Sequence, residues 1–264
     1  MLPEHSIEVA FWNMQLGGLQ MNYGYPDRKS DQSMLVQITE EYQPIVEVLR
    51  TKRGSMTNYN YLVVDSFSRR AVIVDPAWQM DVVEHAMSQA QASLEGVLLT
   101  HAHADHVDLA GVLSEKYGCP VWMSTREIEA SGFSAANLVG IDESDWWIGG
   151  MKITPILTPG HTPGCFCYLI GDNLFTGDVL FVEGCGICPD VESAYQMFES
   201  LQRLKREIKP ETRIFPGHSF GKAPGLNFTG VIRENIYLHF RDKKRFAEFR
   251  QRHVHNREKF FEFH

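Results

Sequence analysis

A chain of 264 residues, 44% of them hydrophobic, is long enough to bury a sizeable core in one α/β domain. The formal net charge of −8 argues against nucleic acid as a general partner. No apolar run approaches membrane-spanning length, and the first residues lack the pattern of a secretory signal peptide. Because the five cysteines suggest no disulfide framework, we expect a cytoplasmic protein.

The predicted elements begin after an N-terminal arm. Residues 1–43 show little periodicity and are predicted to form an arm or extension. Apolar and alternating runs then predict three strands joined by tight turns, at 45–49, 57–65 and 71–74. A helix is predicted over 79–92, and the apolar run 97–99 predicts a further strand. This order favours an α/β fold whose sheet starts antiparallel.

Four polar side chains follow the predicted strand 97–99: His101, His103, Asp105 and His106. Neutral imidazoles and carboxylates are the usual protein ligands of zinc and similar divalent metals. His101 and His103 point to the same side of an extended segment and can share one metal, whereas Asp105 and His106 follow a turn and could reach a second. Three histidines and one aspartate within six residues are hard to explain as ordinary surface or core groups, so the cluster predicts a metal site.

The second half of the chain repeats an apolar strand that ends in a loop with a ligand-type residue. Strands are predicted at 121–123, 151–157, 165–170, 173–178 and 213–215, and their ends supply His161, Asp178 and His218. Helices are predicted over 124–131 and after Asp190, and 137–150 is predicted to be a loop. Residues 229–264 predict two helices that pack on the domain formed by 44–228.

These motifs resemble the metallo-β-lactamase superfamily in order and spacing, over about residues 44–240: His101-Ala-His103-Ala-Asp105-His106, Thr158-Pro-Gly-His161-Thr, Gly177-Asp178 and Pro216-Gly-His218. The resemblance implies an αβ/βα sandwich, in which two mixed sheets pack face to face with helices outside. It also implies that the first metal is bound by His101, His103 and His161. The second would be bound by Asp105, His106 and His218, and Asp178 would bridge both.

Within the superfamily, the chain looks closer to the hydroxyacylglutathione hydrolase branch of thioesterases than to true β-lactamases. The stretches 177–186 and 233–237 look like the zinc hydrolases encoded in bacterial trans-acyltransferase polyketide clusters. The resemblance implies two zinc ions, with iron or manganese as alternatives, and an acyl thioester substrate carried by a carrier protein or by glutathione. A metal-bridging hydroxide would be the nucleophile, and Asp105 and Asp178 would be the catalytic carboxylates.

Two alternatives stay open within the same fold. The stretch Gly184-Cys-Gly186 also resembles persulfide dioxygenases, which bind one iron through residues equivalent to His101 or His103, His161 and Asp178. In that family Arg-Thr-Asp follows, whereas Ile187-Cys-Pro189 follows here. A non-catalytic binding module is the other alternative, although every predicted ligand position is filled. Cys185 and Cys188 could also form a redox pair or part of a structural zinc site, but no further ligands have matching spacing.

Several other residues could support the predicted site. Four polar residues follow the last predicted ligand and could line the pocket mouth and meet a phosphate or carboxylate, or have ordinary surface and packing roles: Lys222, Arg233, Asn235 and Tyr237. Thr100 and Thr162 could fix histidine tautomers or could be ordinary turn residues. Residues 230–264 hold nine Lys and Arg against five Asp and Glu, which indicates a solvated helix face or an anion-binding surface.

Overall fold

A computed structural model describes the backbone of residues 43–260 and the side chains as far as Arg252. The predicted arm at 1–43 therefore lies outside the described residues, apart from Gln43. None of the helices in the described part of the chain combines the length and apolar character that a membrane span requires.

The first sheet holds its strands in sequence order: β1 (Ile45–Arg53), β2 (Met56–Val64), β3 (Arg70–Val74), β4 (Ser93–Leu98), β5 (Val121–Ser124) and β6 (Leu138–Ile141). Pairing is antiparallel from β1 to β3, as predicted, and parallel from β3 to β6. Parallel neighbours need crossover connections, and these contain α1 (Met80–Gln89), α2 (Ala104–Val107), α3 (Ala110–Tyr117) and α4 (Thr125–Ser131).

The second sheet follows in the chain and has the order β12-β11-β10-β9-β8-β7. Its strands are β7 (Trp146–Ile148), β8 (Met151–Leu157), β9 (Phe166–Ile170), β10 (Asn173–Gly177), β11 (Arg213–Pro216) and β12 (Leu226–Asn227). The parallel pair β10 and β11 is joined through α5 (Val191–Glu207). After β12 come α6 (Phe228–Glu234), a 3-10 turn at Ile236–His239 and α7 (Lys243–Phe260).

Alternating side chains of the central strands build the layers. Tyr61 and Val63 of β2 pack between the sheets, together with Phe166 and Phe175 from the second sheet. Leu62, the residue between them, faces the helices over the first sheet. Because successive strand residues point to opposite faces, a strand covered on both sides is apolar throughout. The predicted αβ/βα sandwich is confirmed, with a core between the sheets and one under each helix layer.

The prediction of a loop over 137–150 is wrong, because this segment contains β6 and β7. Both strands are short and lie at sheet edges, so they carry little apolar periodicity. Their identity depends on pairing with β5 and β8. Trp146 packs into the core between the sheets, with its ring 5.4 Å from that of Trp122, whereas Trp147 is exposed.

The C-terminal helices pack on the second sheet's helix layer. The first of them, α6, begins at Phe228, which is buried in the same core as α5. Phe246 of α7 lies in that core as well, with its ring 5.7 Å from that of Phe198 on α5. This arrangement agrees with helices that pack on the main domain, while the division of the chain at residues 43 and 228 stays a prediction.

Candidate metal centre

The structure brings the predicted metal-binding residues together at one end of the two sheets. His101 and His103 follow β4, and Asp105 and His106 lie on the short helix α2. His161 lies in the loop between β8 and β9. Asp178 follows β10 and His218 follows β11. Ends of parallel strands commonly display functional groups in α/β layers, and here both sheets contribute.

The first cluster consists of three histidines. Nδ1 of His103 lies 3.0 Å from Nε2 of His101 and 2.9 Å from Nε2 of His161. The three nitrogen atoms all lie within 4.8 Å of one another, which suits a single metal ion. His101 is fully buried and His103 is exposed, so the cluster opens toward solvent on the side of His103.

The second cluster consists of Asp105, His106 and His218. Oδ2 of Asp105 lies 3.4 Å from Nε2 of His218 and 3.7 Å from Nε2 of His106. These three ligand-type atoms also lie within 4.8 Å of one another. A second ion of the same kind could therefore be held beside the first cluster.

Asp178 lies between the two clusters and presents one oxygen to each. Its Oδ2 lies 3.5 Å from Nε2 of His161, in the first cluster. Its Oδ1 lies 3.4 Å from Nε2 of His106 and 3.5 Å from Nε2 of His218, in the second. This is the geometry that a bridging carboxylate requires.

In four of the histidines, Nδ1 points away from the clusters and forms a hydrogen bond, and this bond identifies which ring nitrogen is free to bind a metal. Nδ1 of His161 donates to Ile187 O at 2.8 Å, and Nδ1 of His218 donates to Thr57 O at 3.1 Å. Nδ1 of His106 donates to the Asp75 carboxylate at 3.0 Å. Thr100 Oγ1 gives its own proton to Asp75 and so accepts from Nδ1 of His101. All four rings, when neutral, therefore direct an unprotonated Nε2 into the centre.

Two observations show that these residues fit divalent metal ions. Nδ1 of His103 faces two unprotonated nitrogens and can donate a proton to only one of them, so a cation is the natural partner of all three. Nε2 of His106 and Oδ1 of Asp178 are also buried without a hydrogen-bond partner among the described residues. Orphaned buried atoms of this kind are costly unless an ion or water satisfies them.

The electrostatics of the two clusters differ. Burial and the neighbouring imidazoles hold the pKa of His101 well below its usual value, so that ring stays neutral. Burial also disfavours a charge on His106, but the carboxylates of Asp178, Asp75 and Asp105 outweigh it and raise its pKa to about 9. The second cluster therefore attracts positive charge, and a metal ion would replace the proton that His106 otherwise holds.

The family of the chain follows from its sequence matches. The family model of the Metallo-beta-lactamase superfamily matches residues 57–218, a range that contains both clusters. The chain belongs to the metallo-β-lactamase superfamily. It is 42% identical over 209 residues to "Probable polyketide biosynthesis zinc-dependent hydrolase PksB" of Bacillus subtilis (strain 168), a match that covers 78% of this chain and 93% of that protein.

Two further matches agree with this membership. The chain is 31% identical over 186 residues to a hydroxyacylglutathione hydrolase of Bdellovibrio bacteriovorus, which covers 66% of this chain and 68% of that protein. A solved metallo-beta-lactamase from Staphylococcus aureus matches with a TM-score of 0.70 at 22% identity, over 79% of this chain and 67% of that one. The predicted resemblances to the superfamily, to its hydroxyacylglutathione hydrolase branch and to polyketide zinc hydrolases are confirmed. Together with the His and Asp clusters, the zinc-dependent relatives support a metal cofactor.

In this metallo-β-lactamase fold, Asp75 is a functional residue that the sequence interpretation missed. Its carboxylate accepts hydrogen bonds from Thr100 N at 2.8 Å, from Thr100 Oγ1 at 2.6 Å and from His106. Asp75 lies within metal-binding distance of His101 and His106, but these hydrogen bonds occupy both oxygens and assign it an orienting role. Asp75 directly follows β3, so the strand-end pattern that identified Asp178 would also have found it.

The two threonines have different partners. Thr100 contacts His101 directly, as one of the two alternatives expected. Thr162 Oγ1 instead donates to Glu127 at 2.7 Å, one residue from His161. Asn58, which the sequence interpretation also missed, donates from Nδ2 to Asp105 O and to Asp105 Oδ2, at 2.6 and 3.1 Å. An asparagine in an apolar strand gives no sequence signal for that contact.

The predicted substrate contacts fall into two groups. Lys222 and Arg233 are exposed and both lie beside Glu234, at 2.9 Å and 3.5 Å. Asn235 is fully buried, and its amide donates to Phe181 O and Gly184 O, so its side chain supports that backbone rather than the pocket mouth. Tyr237 is half-buried, with its ring 5.6 Å from that of Phe246. A substrate contact from Lys222, Arg233 or Tyr237 stays a prediction.

Cys185 and Cys188 lie buried in the core around α5. Burial raises the pKa of the Cys188 thiol to about 11 and that of the Cys185 thiol still further. Among the described residues, no group of three potential metal ligands includes a cysteine. The described contacts therefore give both cysteines a packing role.

Proposed function

We propose that this protein is a zinc-dependent hydrolase that cleaves an acyl thioester in polyketide biosynthesis. The observation that carries the proposal is the pair of clusters joined by Asp178, with histidine ring nitrogens directed inward. The identity of 42% with PksB supports both the zinc dependence and the biosynthetic context. The carrier of the thioester would be phosphopantetheine on a carrier protein, and glutathione is the alternative that the hydroxyacylglutathione hydrolase match supplies.

The residues of this chain would hold two zinc ions. His101, His103 and His161 would bind the first ion, and Asp105, His106 and His218 the second, with Asp178 shared. When bound, such ions would lower the pKa of a water to about 7, polarise a carbonyl and accept a soft thiolate leaving group.

The carboxylates have distinct tasks in this proposal. Asp178 keeps the two clusters at a fixed separation, because each of its oxygens faces a different cluster. Asp105 is held by Asn58 and lies on the half-exposed side of the second cluster. There it can accept a hydrogen bond from the attacking water and align it with the thioester carbonyl. The partners of the outer nitrogens keep the histidines oriented while the substrate binds.

Apolar side chains around the opening support an apolar acyl group. Met56, Ile187 and Phe220 are 50%, 62% and 70% exposed. Met56 precedes Thr57, which binds His218, and Ile187 O binds His161. The ring of Phe220 packs 5.2 Å from Phe181, which in turn lies 6.1 Å from the His218 ring. In the proposal, these three side chains would contact the acyl group of the substrate.

Phe220→Ala is expected to raise the KM for a long-chain acyl thioester by about tenfold, since burying a Phe side chain contributes about 1.5–3 kcal/mol. The KM for the acetyl thioester should change much less. Phe67→Ala is the matched control, because Phe67 is 85% exposed but lies at the opposite end of β3 from the clusters. Equal KM values for Phe220→Ala and the unaltered protein would remove the apolar opening from the proposal.

The proposed activity is tested by thiol release from a panel of thioesters. The panel contains acyl-pantetheines, an acylated carrier protein and S-lactoylglutathione, each with the zinc-loaded protein. We expect hydrolysis of the pantetheine and carrier-protein thioesters, lost after chelation and restored by zinc. Hydrolysis of S-lactoylglutathione alone would contradict phosphopantetheine as the thiol carrier of the substrate. Oxygen uptake with a glutathione persulfide by an iron-loaded protein, without thioester hydrolysis, would contradict the reaction itself.

A further inference from the structure

Glu127 lies at the capping-box position of α4, but its side chain does not complete a capping box. Ser124 caps α4, and its Oγ accepts from Glu127 N at 3.2 Å. A serine followed three residues later by a glutamate usually forms a capping box, in which the glutamate side chain returns to the N-cap backbone. Here both carboxylate oxygens instead bind loops outside the helix.

The contacts of Glu127 connect the two loops that carry the first cluster. Oε1 accepts from Ala102 N at 3.0 Å, and Ala102 is the residue between His101 and His103. Oε2 accepts from Thr162 Oγ1 at 2.7 Å and from Gly164 N at 2.9 Å, both in the loop of His161. The residues that donate to this carboxylate lie one to three positions in sequence from a histidine of the cluster. One carboxylate thus connects the backbone segments that carry all three histidines.

The environment of Glu127 makes these bonds strong and specific. The residue is 1% exposed, and no salt bridge reaches it within the described part of the chain. A buried carboxylate without a counter-ion is costly unless its lone pairs are satisfied, and hydrogen bonds to an ionised acceptor are about twice as strong as neutral ones. Loss of a donor or a change in loop spacing would leave part of this buried carboxylate without a hydrogen-bond partner.

Close packing leaves the His161 loop little freedom to shift. A Cβ added to Gly164 would lie 2.2 Å from Glu127 N and 2.5 Å from Glu127 Cα, both backbone atoms. The loop therefore rests directly on the start of α4, and the glycine permits the approach. This contact sets both the position and the orientation of the His161 loop relative to α4.

We propose that Glu127 is a positioning residue that sets the geometry of the His101, His103 and His161 cluster. The inference rests on the metal centre of the proposed function and adds a residue that acts through the loops. The second cluster has other supports, namely Asp75 for His106, Thr57 for His218 and Asn58 for Asp105. The effect of Glu127 is therefore confined to the first metal.

The inference is tested by zinc affinity in single-cluster backgrounds. His218→Ala leaves the first cluster complete, and His103→Ala leaves the second complete. Glu127→Gln is expected to weaken zinc binding about 10- to 100-fold in the His218→Ala background and to leave it unchanged in the His103→Ala background. The amide cannot accept at both of its former oxygens, so at least one backbone donor loses its partner. Glu129→Gln, an exposed glutamate on the same helix, is the matched control.

Two further readouts separate positioning from a general loss of stability. In the metal-free protein, hydrogen exchange should speed up at the Ala102 amide, the Gly164 amide or both in Glu127→Gln, and at neither in Glu129→Gln. In the zinc-loaded protein, kcat should fall with KM nearly unchanged. If Glu127→Gln does not fold, Thr162→Val removes one donor without removing the carboxylate, and a smaller decrease confined to the first cluster is expected.

The outcomes have distinct consequences. Unchanged affinity, or an equal loss in both backgrounds, would overturn the inference. Selective loss of zinc at the first cluster together with no thioester hydrolysis by the unaltered protein would support the role of Glu127 and contradict the proposed substrate. Absence of zinc binding by the unaltered protein would overturn the metal centre and this inference together.

Discussion

Asp178→Asn is expected to lower turnover at least about 10³-fold while the protein stays folded. The carboxylate faces both clusters, with Oδ2 near His161 and Oδ1 near His106 and His218. The amide loses the negative charge and presents a donor to one cluster, where a cation would lie. Metal chemistry contributes several kcal/mol to catalysis, and each 1.36 kcal/mol is a factor of ten in rate.

The measurement for Asp178→Asn is kcat together with zinc content, and circular dichroism checks the fold. Asp145→Asn is the control, because Asp145 is exposed and forms a surface ion pair with Lys152. Asp178→Ala should behave like the asparagine variant, because each removes the charge between the clusters. Full activity in either variant would overturn the assignment of Asp178 as a bridging group.

Gly217→Ala is expected to weaken zinc binding at the second cluster by about 10- to 100-fold. A Cβ at this position would lie 2.5 Å from His106 Cε1 and 2.8 Å from Asp178 Oδ1. The backbone cannot move away easily, because Gly217 N donates to Gly177 O and Gly217 O accepts from Tyr59 N. Overpacking of this kind typically destabilises a site by about 1–3 kcal/mol. We expect the side chains of His106 and Asp178 to shift away from the added methyl group, which would weaken zinc binding.

Gly111→Ala is the matched control for this substitution. Gly111 lies on α3, and an added Cβ would meet only Ala135 Cβ at 4.0 Å. Neither glycine is among those with a positive φ, so the two variants differ in space and not in backbone strain. Isothermal titration with zinc compares the two variants. Equal zinc affinity in Gly217→Ala and Gly111→Ala would contradict the packing of His106 and Asp178 described for the centre.

Much of the candidate site was predictable because its residues carry a local signal. His101, His103, Asp105 and His106 lie next to one another and follow an apolar strand, so neither pairing nor topology is needed to recognise them. The glycine and proline residues around His161 and His218 mark strand ends in the same way. The αβ/βα sandwich came from the family resemblance, whereas the strand periodicity alone indicated only an α/β order with an antiparallel start.

The features that could not be predicted from the sequence depend on contacts between segments that are distant in the chain. Glu127 lies in a capping-box pattern that explains it locally, so nothing in the chain indicates its bonds to Ala102 and Gly164. His218 is oriented by the backbone carbonyl of Thr57, and a backbone acceptor has no residue identity to detect. Asn235 shows the reverse case. Its position after the last predicted ligand suggested a pocket contact, but its side chain is buried and donates to Phe181 O, which is a structural role.

The metal content of the purified protein tests whether the two clusters hold two zinc ions. Elemental mass spectrometry of the purified full-length protein, with protein quantified by amino-acid analysis, gives metal per chain. We predict about two zinc per chain, falling to about one in His103→Ala and in His218→Ala, as expected for one ion per cluster. About one iron per chain with little zinc, or no bound metal at all, would contradict a centre that holds two zinc ions.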